Sequence, residues 1–293
     1  MKLYRLIAAL FLAVFSSIQA DSDTRLPKLP DGMTAPHERA AYILLHIWDF
    51  PENLSTPEKA EQAISDFLSV ADADIASQDA YTTAVDTLMA KANAAGIDIL
   101  TIAAKYTSYP DAPFFDDELY LPFIDAALAT PTLLESTPGL KDRLQYDRAC
   151  ILKNRIGTKA ASFIVELPSG EKTPVDSLFK SPLNLLVLFD PDCDHCRDML
   201  SGLSASTSLA QAVDNKSISV TTVWIDALDS PGTLSIPTAE GWNVVSDRTG
   251  IMDNELYELP VMPSVYVIDN NGVVVNKNLV KFSTVISALG LSE

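Results

Sequence analysis

The stretch LNLLVLFDPDCDHC, residues 183–196, decides the fold of the second half of the chain. Its first seven residues, 183–189, are almost all apolar, which predicts a strand buried on both faces. Polar residues follow Phe189, and the pattern beyond them predicts a helix from about residue 194. A strand that leads into a helix at a Cys-x-x-Cys pair indicates an α/β domain with two thiols at the carboxyl edge of its sheet.

The two cysteines have different predicted roles. Cys193 lies where a strand ends and a helix begins, and the unpaired N–H groups and dipole of a helix start stabilise an anion there. Cys193 is therefore the candidate nucleophile. Cys196 is the candidate resolving thiol, because this spacing allows it to attack a mixed disulfide formed on Cys193.

Charged neighbours act on this pair in both directions. Asp190, Asp192 and Asp194 oppose a thiolate on Cys193, whereas His195 and Arg197 favour it. Exposed charges at such distances are each worth about 1 kcal/mol. The redox direction therefore stays open at this level, and His195 is a candidate catalytic residue that tunes the thiol.

The rest of the second half has an alternating strand and helix pattern. Helices are predicted at 194–214 and 281–289, and turn signals separate the shorter apolar runs. This order predicts an α/β domain with a mixed central sheet over residues 156–293. The predicted strands are Ser162–Leu167, Leu183–Asp190, Ile218–Asp226, Val244–Ser246, Ser264–Asp269 and Gly272–Asn276.

Residues 37–155 have helical rather than strand periodicity, which predicts an all-α domain. Apolar residues from Ala60 to Ala71 fall on one face of a helix that Ser55 or Thr56 would cap. The polar, proline-rich residues 21–36 are interpreted as a linker or extended arm. Further helices are predicted around 37–48, 81–96, 98–106, 116–129 and 139–154.

The first 20 residues have the pattern of a secretory signal peptide, with Lys2 and Arg5 before a short apolar run. Loss of these two basic residues would change the formal net charge of −18 to −20. Such an acidic surface opposes binding to nucleic acid and to anionic membranes. We expect an exported, periplasmic protein without a membrane span in its mature chain.

Three cysteines are too few for a disulfide scaffold in an exported chain, so the close pair is interpreted as a working pair. A structural disulfide or inert thiols remain the alternative for this pair. A zinc site would need a second cluster of ligands, and haem attachment fails because Arg197 stands where the motif needs histidine. No cofactor or metal is predicted. The remaining candidate ligands, His37, His46 and Cys150, are interpreted as structural residues of the first domain.

A second motif lies at LPVMPSVYVID, residues 259–269, where Pro263 directly precedes an apolar strand and its X-Pro bond is a candidate for the cis form. With the Cys-x-x-Cys motif and SVTTVWID (219–226), residues 183–289 resemble the thioredoxin superfamily, specifically exported thiol–disulfide oxidoreductases of the TlpA/ResA type. The resemblance implies that a cis-Pro263 loop faces the cysteines as part of the catalytic site. It also implies that Met262 and Ser264 bind the substrate.

The resemblance extends upstream to two-domain Bacteroidetes proteins of this class, in which a helical domain of unknown function comes first. Residues 153–179 resemble the hairpin that opens their thioredoxin part, and residues 46–52 and 106–128 resemble the helical domain. Val187 departs from the family, because thioredoxins carry a buried, proton-accepting aspartate there. His195, a nearby acid or water would have to take over this role.

The leading hypothesis is an exported thiol–disulfide oxidoreductase acting on protein or peptide disulfides, with reduction slightly favoured over oxidation and an unidentified redox partner. The alternative is an envelope binding protein, whose helical domain captures a peptide, glycan or protein partner on a non-catalytic thioredoxin-like scaffold. The aromatic-rich stretch 106–123 would supply either a binding groove or part of the helical core. A peroxidase is a third hypothesis, although the signature of such enzymes is not evident around either cysteine.

Overall fold

The structure is a computed structural model that describes residues 24–71, 78–225 and 236–292. It divides into two compact units, the first ending at Arg148 and the second beginning at Ala149. The predicted signal peptide lies outside the described residues. Within the described ranges, no helix combines the length and the apolar character that a membrane span requires.

From Pro36 onward, the described part of the first unit consists of helices and the turns that connect them, as its periodicity predicts. Pro131–Ser136 is a short helix that the sequence analysis did not predict, and Leu140–Leu152 continues past the boundary between the units. The α-helices are α1 (Pro36–His46), α2 (Pro57–Ala71), α3 (Gln78–Ala95), α4 (Ile99–Thr107), α5 (Asp117–Leu128), α6 (Pro131–Ser136) and α7 (Leu140–Leu152).

Local signals explain where these helices begin and end. Helix α2 begins at Pro57, and the Lys59 N–H donates to Thr56 Oγ1 at 3.3 Å, so Thr56 is the capping residue. Helix α3 ends before Gly96, whose φ of +71° suits glycine at a helix terminus. The apolar face of α2 is fully buried, including Phe67. This packing supplies most of the stability of these helices.

The second unit is built around a seven-stranded mixed sheet in the order β2-β1-β5-β4-β3-β6-β7. The central strand β3 pairs parallel with β4 and antiparallel with β6. The strands are β1 (Ile164–Glu166), β2 (Lys172–Pro174), β3 (Leu183–Phe189), β4 (Ile218–Trp224), β5 (Asn243–Asp247), β6 (Ser264–Asp269) and β7 (Val274–Asn276). The predicted fold class, a helical domain followed by a mixed α/β domain, is confirmed.

The single helix predicted over residues 194–214 is wrong. Two helices, α8 (Asp194–Ala205) and α9 (Thr207–Asp214), occupy this segment. Ser206 separates them, since its backbone is extended and its hydroxyl accepts from the Leu209 N–H at 3.1 Å. A serine that caps a helix in this way competes with helix continuation.

The sheet has a hydrophobic core on each face. Leu185, Val187 and Phe189 of β3 lie in the cluster that also contains residues of α8, α9 and the last helix, α10 (Phe282–Ala288). Leu186 and Leu188 lie in the cluster on the other face. Burial on both faces explains why β3 is apolar at consecutive positions rather than alternate ones.

Candidate active site

Cys193 is the N-cap residue of α8, four residues after the end of β3. Its Sγ accepts a hydrogen bond from the Cys196 N–H at 3.3 Å, and its side chain is partly exposed. The pair is in the dithiol state. The helix start therefore directs an N–H group at the sulfur of Cys193, which is the arrangement that stabilises a thiolate.

Cys196 has a different environment, because it is only 1% exposed and lies in the core cluster with Val187, Phe189 and Val265. The pKa of Cys196 is raised from its ordinary 9.0 to about 12. Burial is the main cause of this rise, and the hydrogen bond with Cys193 is the second. A buried, neutral thiol reacts slowly with external reagents. The two thiols are therefore suited to sequential roles.

The Met262–Pro263 peptide bond is cis, as the sequence analysis predicts. The Cys193 thiol donates to the Met262 carbonyl oxygen at a sulfur–oxygen distance of 3.8 Å. The loop before β6 therefore faces the cysteine pair. Pro263 is buried, whereas Met262 is partly exposed beside Cys193.

The Ser264 side chain does not have the exposed position that a direct contact with substrate would require. It is 0% exposed, and its hydroxyl donates to the Val261 carbonyl oxygen at 2.6 Å. Its backbone is opposite Leu188 in the pairing of β3 with β6. The Ser264 side chain therefore stabilises the cis-proline loop, and only its main chain remains available for the predicted contact.

The acidic residues of the motif are not equivalent. Asp192 and Asp194 are exposed, whereas Asp190 is partly buried and its Oδ1 accepts from the Asp192 N–H at 2.8 Å. Arg197 lies 3.6 Å from Asp194 and also donates to the Pro191 carbonyl oxygen at 2.9 Å. Arg197 thus offsets part of the charge of Asp194, while Asp190 remains close to the thiols.

His195 is exposed on the first turn of α8, between the two cysteines in sequence. Its side chain does not share the buried environment of Cys196. Its predicted role as a catalytic residue stays a prediction.

Trp224 is a further candidate site residue that the sequence analysis did not name. It ends β4 opposite Phe189 of β3, and because these strands are parallel it lies at the same sheet edge as Cys193. Trp224 and Met262 both pack, partly buried, against the core cluster that holds Cys196. The sequence does show that Trp224 lies near the end of the second apolar strand. The register between β3 and β4 was needed to place that strand end beside Cys193.

No group of three or more His, Cys, Asp or Glu side chains with metal-binding geometry occurs in the described ranges. The site as described therefore consists of two thiols, a cis-proline loop and partly buried apolar side chains. This arrangement is suited to thiol–disulfide exchange.

The fold has a counterpart along nearly the whole chain. A thioredoxin-like protein from Bacteroides caccae matches with a TM-score of 0.79 and 25% identity, covering 94% of this chain and 100% of that one. The chain belongs to the thioredoxin-like superfamily. Residues 13–154 match the family model described as domain of unknown function DUF5106, so this thioredoxin-like protein carries a DUF5106 region before its α/β domain.

Other solved structures match just under half of the chain. The C-terminal domain of an uncharacterized protein from Bacteroides fragilis is 31% identical over 47% of this chain and 99% of that chain, with a TM-score of 0.43. The thioredoxin domain of a thiol-disulfide oxidoreductase from Bacteroides vulgatus is 19% identical over 46% and 97%, with a TM-score of 0.35. No functionally curated protein matches the sequence.

This thioredoxin-like protein departs from the family pattern at Val187, which is 0% exposed in the core beside Cys196. The position therefore offers no group that could accept a proton.

The helical unit contains a cavity of about 360 Å³, lined by Trp48, Asp49, Pro51, Leu54, Lys91, Ala94 and Ala95. Trp48 is 1% exposed, and its indole N–H has no hydrogen-bond partner in the described structure. Lys91 Nζ donates to the Trp48 carbonyl oxygen at 2.5 Å and lies 3.3 Å from Asp49 Oδ1. The cavity is thus mainly apolar, with a charged edge.

Of the residues interpreted as structural, His37 and His46 lie in the first unit, whereas Cys150 lies in the second unit rather than in the first domain as expected. His37 is exposed, His46 Nδ1 lies 2.8 Å from Asp49 Oδ2, and Cys150 is buried in α7. The aromatic side chains of residues 106–123 differ in exposure, and the last of them pack in the helical core. Tyr109 is the large aromatic side chain of this stretch that is clearly exposed, at 57%.

Proposed function

We propose that this protein is an exported thiol–disulfide oxidoreductase that acts on protein or peptide disulfides through Cys193 and Cys196. One observation carries the proposal: a partly exposed Cys193 at the start of α8 lies between a buried Cys196 and the carbonyl of a cis-proline loop, 3.8 Å from its sulfur. A structural disulfide would not need two thiols of such different accessibility.

The proposed reaction has two exchanges. The Cys193 thiolate attacks one sulfur of the substrate disulfide, and the other substrate sulfur leaves with the bonding electrons. Cys196 then attacks Cys193, which forms the Cys193–Cys196 disulfide and releases the second substrate thiolate. The substrate gains two electrons and the cysteine pair loses them, so a separate redox partner must reduce the pair again.

Polypeptide substrates suit the surface around Cys193. Met262 and Trp224 provide partly buried apolar contacts, and the cis-proline loop provides main-chain groups beside the sulfur. Extended segments bind well to such combinations of backbone donors, acceptors and apolar surface. The strongly acidic chain is unsuited to nucleic acid as a partner.

Local charge favours the reductive direction. Asp190, Asp192 and Asp194 surround the pair, and Arg197 offsets only part of this negative charge. Negative charge disfavours the thiolate-containing reduced state, and pairs with a stabilised reduced state are the strong oxidants of this superfamily. Export to the periplasm is proposed from the signal-peptide pattern of residues 1–20.

Turnover of a fluorescent disulfide peptide by the mature protein, with dithiothreitol as electron donor, tests the proposal. We expect catalysis by the wild-type protein, loss of catalysis in Cys193→Ser, and a trapped mixed disulfide on Cys193 in Cys196→Ser. Equal rates for wild type and Cys193→Ser would show that the pair is not a working site.

A second candidate function rests on the cavity in the helical unit. Its volume of about 360 Å³ falls in the range of small-ligand sites, and the unpaired indole N–H of Trp48 is a donor that a ligand could use. In this case the protein would be a binding protein on a thioredoxin-like scaffold. The reduction potential separates the two functions, because structural disulfides lie below about −300 mV and working pairs between about −270 and −120 mV.

A further inference from the structure

The second exchange of the proposed reaction requires a proton acceptor. Before Cys196 can attack Cys193, the Cys196 Sγ–H bond must release its proton. Burial raises the pKa of Cys196 to about 12, so the thiolate is scarce at neutral pH. A base within direct or one-water reach of this thiol would remove the limitation.

The groups that surround Cys196 leave few candidates among the described residues. Strands β3 and β6 and helix α10 contribute Val187, Val265 and Val285 to the cluster around it. The titratable groups that act on its pKa are Cys193 and Asp190, both on the segment between β3 and α8. Cys193 is itself the target of the attack and is bonded to substrate in this step.

The other charged residues of the motif face solvent. Asp192 and His195 are exposed, and Asp194 is 92% exposed and paired with Arg197 at 3.6 Å. Carboxylates that are exposed to solvent are poorly placed to accept a proton from a thiol that is 1% exposed. They serve as natural controls, because they flank the same cysteines and carry the same charge.

Asp190 has a different position. It directly follows Phe189, which packs with Cys196 in the core, and its carbonyl oxygen accepts from the Cys193 N–H at 3.2 Å. The main-chain amide of Asp190 interacts with the Cys196 sulfur. The carboxylate is partly buried and is held by the Asp192 N–H at 2.8 Å. The main chain of Asp190 therefore contacts both cysteines, and its carboxylate is the acidic group of the motif that acts on the pKa of Cys196.

We propose that the Asp190 carboxylate accepts the Cys196 proton, directly or through one water, as Cys196 attacks the mixed disulfide on Cys193. The S–S bond between the cysteines forms, the bond between Cys193 and the substrate sulfur breaks, and the substrate thiolate leaves with the electron pair. The proton passes from Asp190 to solvent afterwards. This inference rests on the proposed function and assigns the base for its second step.

Asp190 has a second effect of opposite sign. Its negative charge raises the pKa of Cys196, but this is the smallest of the causes that act on that thiol. Loss of a general base typically lowers a rate by about 100-fold or more. The loss of the proton acceptor should therefore outweigh the loss of the negative charge, so neutralising Asp190 should slow the resolution step. An effect of charge alone would accelerate it.

The test measures resolution separately. A chromophoric aromatic thiol is attached to Cys193 as a mixed disulfide at acid pH, and a pH jump starts its release by Cys196. We expect Asp190→Asn to lower the release rate about 100-fold at neutral pH, with partial recovery at alkaline pH, where hydroxide takes the proton. Asp192→Asn and Asp194→Asn should stay within about threefold of wild type.

Two further variants complete the design. Asp190→Glu keeps a carboxylate and should release the thiol faster than Asp190→Asn, which a purely structural role of Asp190 does not predict. Cys196→Ser should release none. Release from Asp190→Asn that equals or exceeds wild type would overturn the inference while the proposed function stands. Absence of any release from the wild-type mixed disulfide would instead overturn the proposed function.

Discussion

At the scale of single residues, the site depends on the contrast between two thiols three positions apart. Cys193 is partly exposed at a helix start, whereas Cys196 is 1% exposed in an apolar core. Position in the fold, rather than residue type, separates the proposed nucleophile from the proposed resolving thiol.

Alkylation should distinguish these thiols. At neutral pH, iodoacetamide should modify Cys193 in the reduced, folded protein and leave Cys196 intact. With a pKa of about 12, only about one Cys196 in 10⁵ is a thiolate at pH 7. Mass spectrometry of peptides after short exposure measures the ratio. Comparable labelling of both cysteines in the folded protein would contradict the assigned burial, and labelling in urea gives the control.

The same contrast predicts a pH dependence of stability. The Cys196 thiol stays neutral in the folded protein up to about pH 12, but ionises above pH 9.0 when unfolded. The free energy of unfolding of the reduced protein should therefore fall above pH 9.0, by about 1.4 kcal/mol per pH unit from this group.

Urea titrations at pH values on both sides of 9.0 measure this slope. Burial also raises the pKa of Tyr257, so the useful quantity is the difference between wild type and Cys196→Ala. The wild type should lose stability more steeply. Parallel curves would show that Cys196 ionises equally in the folded and unfolded states.

At the scale of secondary-structure elements, the start of α8 has both a structural and a chemical role. The Sγ of Cys193 accepts a hydrogen bond from the Cys196 N–H at 3.3 Å, so the proposed nucleophile also caps the helix. A serine hydroxyl can replace the sulfur in this bond, whereas alanine cannot.

Cys193→Ala should therefore be less stable than Cys193→Ser by about 1 kcal/mol, although both variants lose the nucleophile. Chemical denaturation of the two reduced variants under identical conditions gives the difference. Indistinguishable midpoints and slopes would indicate that the cap contributes nothing to the stability of α8.

At the scale of the whole molecule, the chain divides into two compact units, and the residues of α7 fall on both sides of this division in sequence. Within the second unit, Lys277 is 8% exposed and its Nζ donates to the Ile151 carbonyl oxygen at 2.9 Å. The last turns of α7 therefore belong to the packing of the α/β unit.

A fragment that begins at Gly139, which keeps α7 complete, should fold alone and unfold in one cooperative transition. A fragment that begins at Lys153 removes the Ile151 acceptor of the buried Lys277 ammonium, and should be less stable by about 1–3 kcal/mol. Circular dichroism during urea unfolding compares them. Equal stability of both fragments would show that α7 adds nothing to this unit.

Much of the architecture could be predicted from local sequence. The apolar run 183–189 predicts a doubly buried strand, and Pro263 before an apolar strand marks the cis peptide bond. Features that failed depended on competing local or spatial contacts. Ser206 caps a new helix where periodicity continues. The hairpin of β1 and β2 was instead implied by the resemblance of residues 153–179, because the pairing of this three-residue edge strand is not visible in its composition.

The order of a helical region and an α/β domain, and the placement of two cysteines at a helix start, were therefore determined by sequence alone, because periodicity and capping are local. Tertiary structure decided that Cys196 is buried, that the Met262 carbonyl reaches Cys193, and that Asp190 is partly buried whereas Asp192 and Asp194 are exposed. Burial and side-chain proximity arise from strands and loops distant in sequence, so residue type cannot specify them.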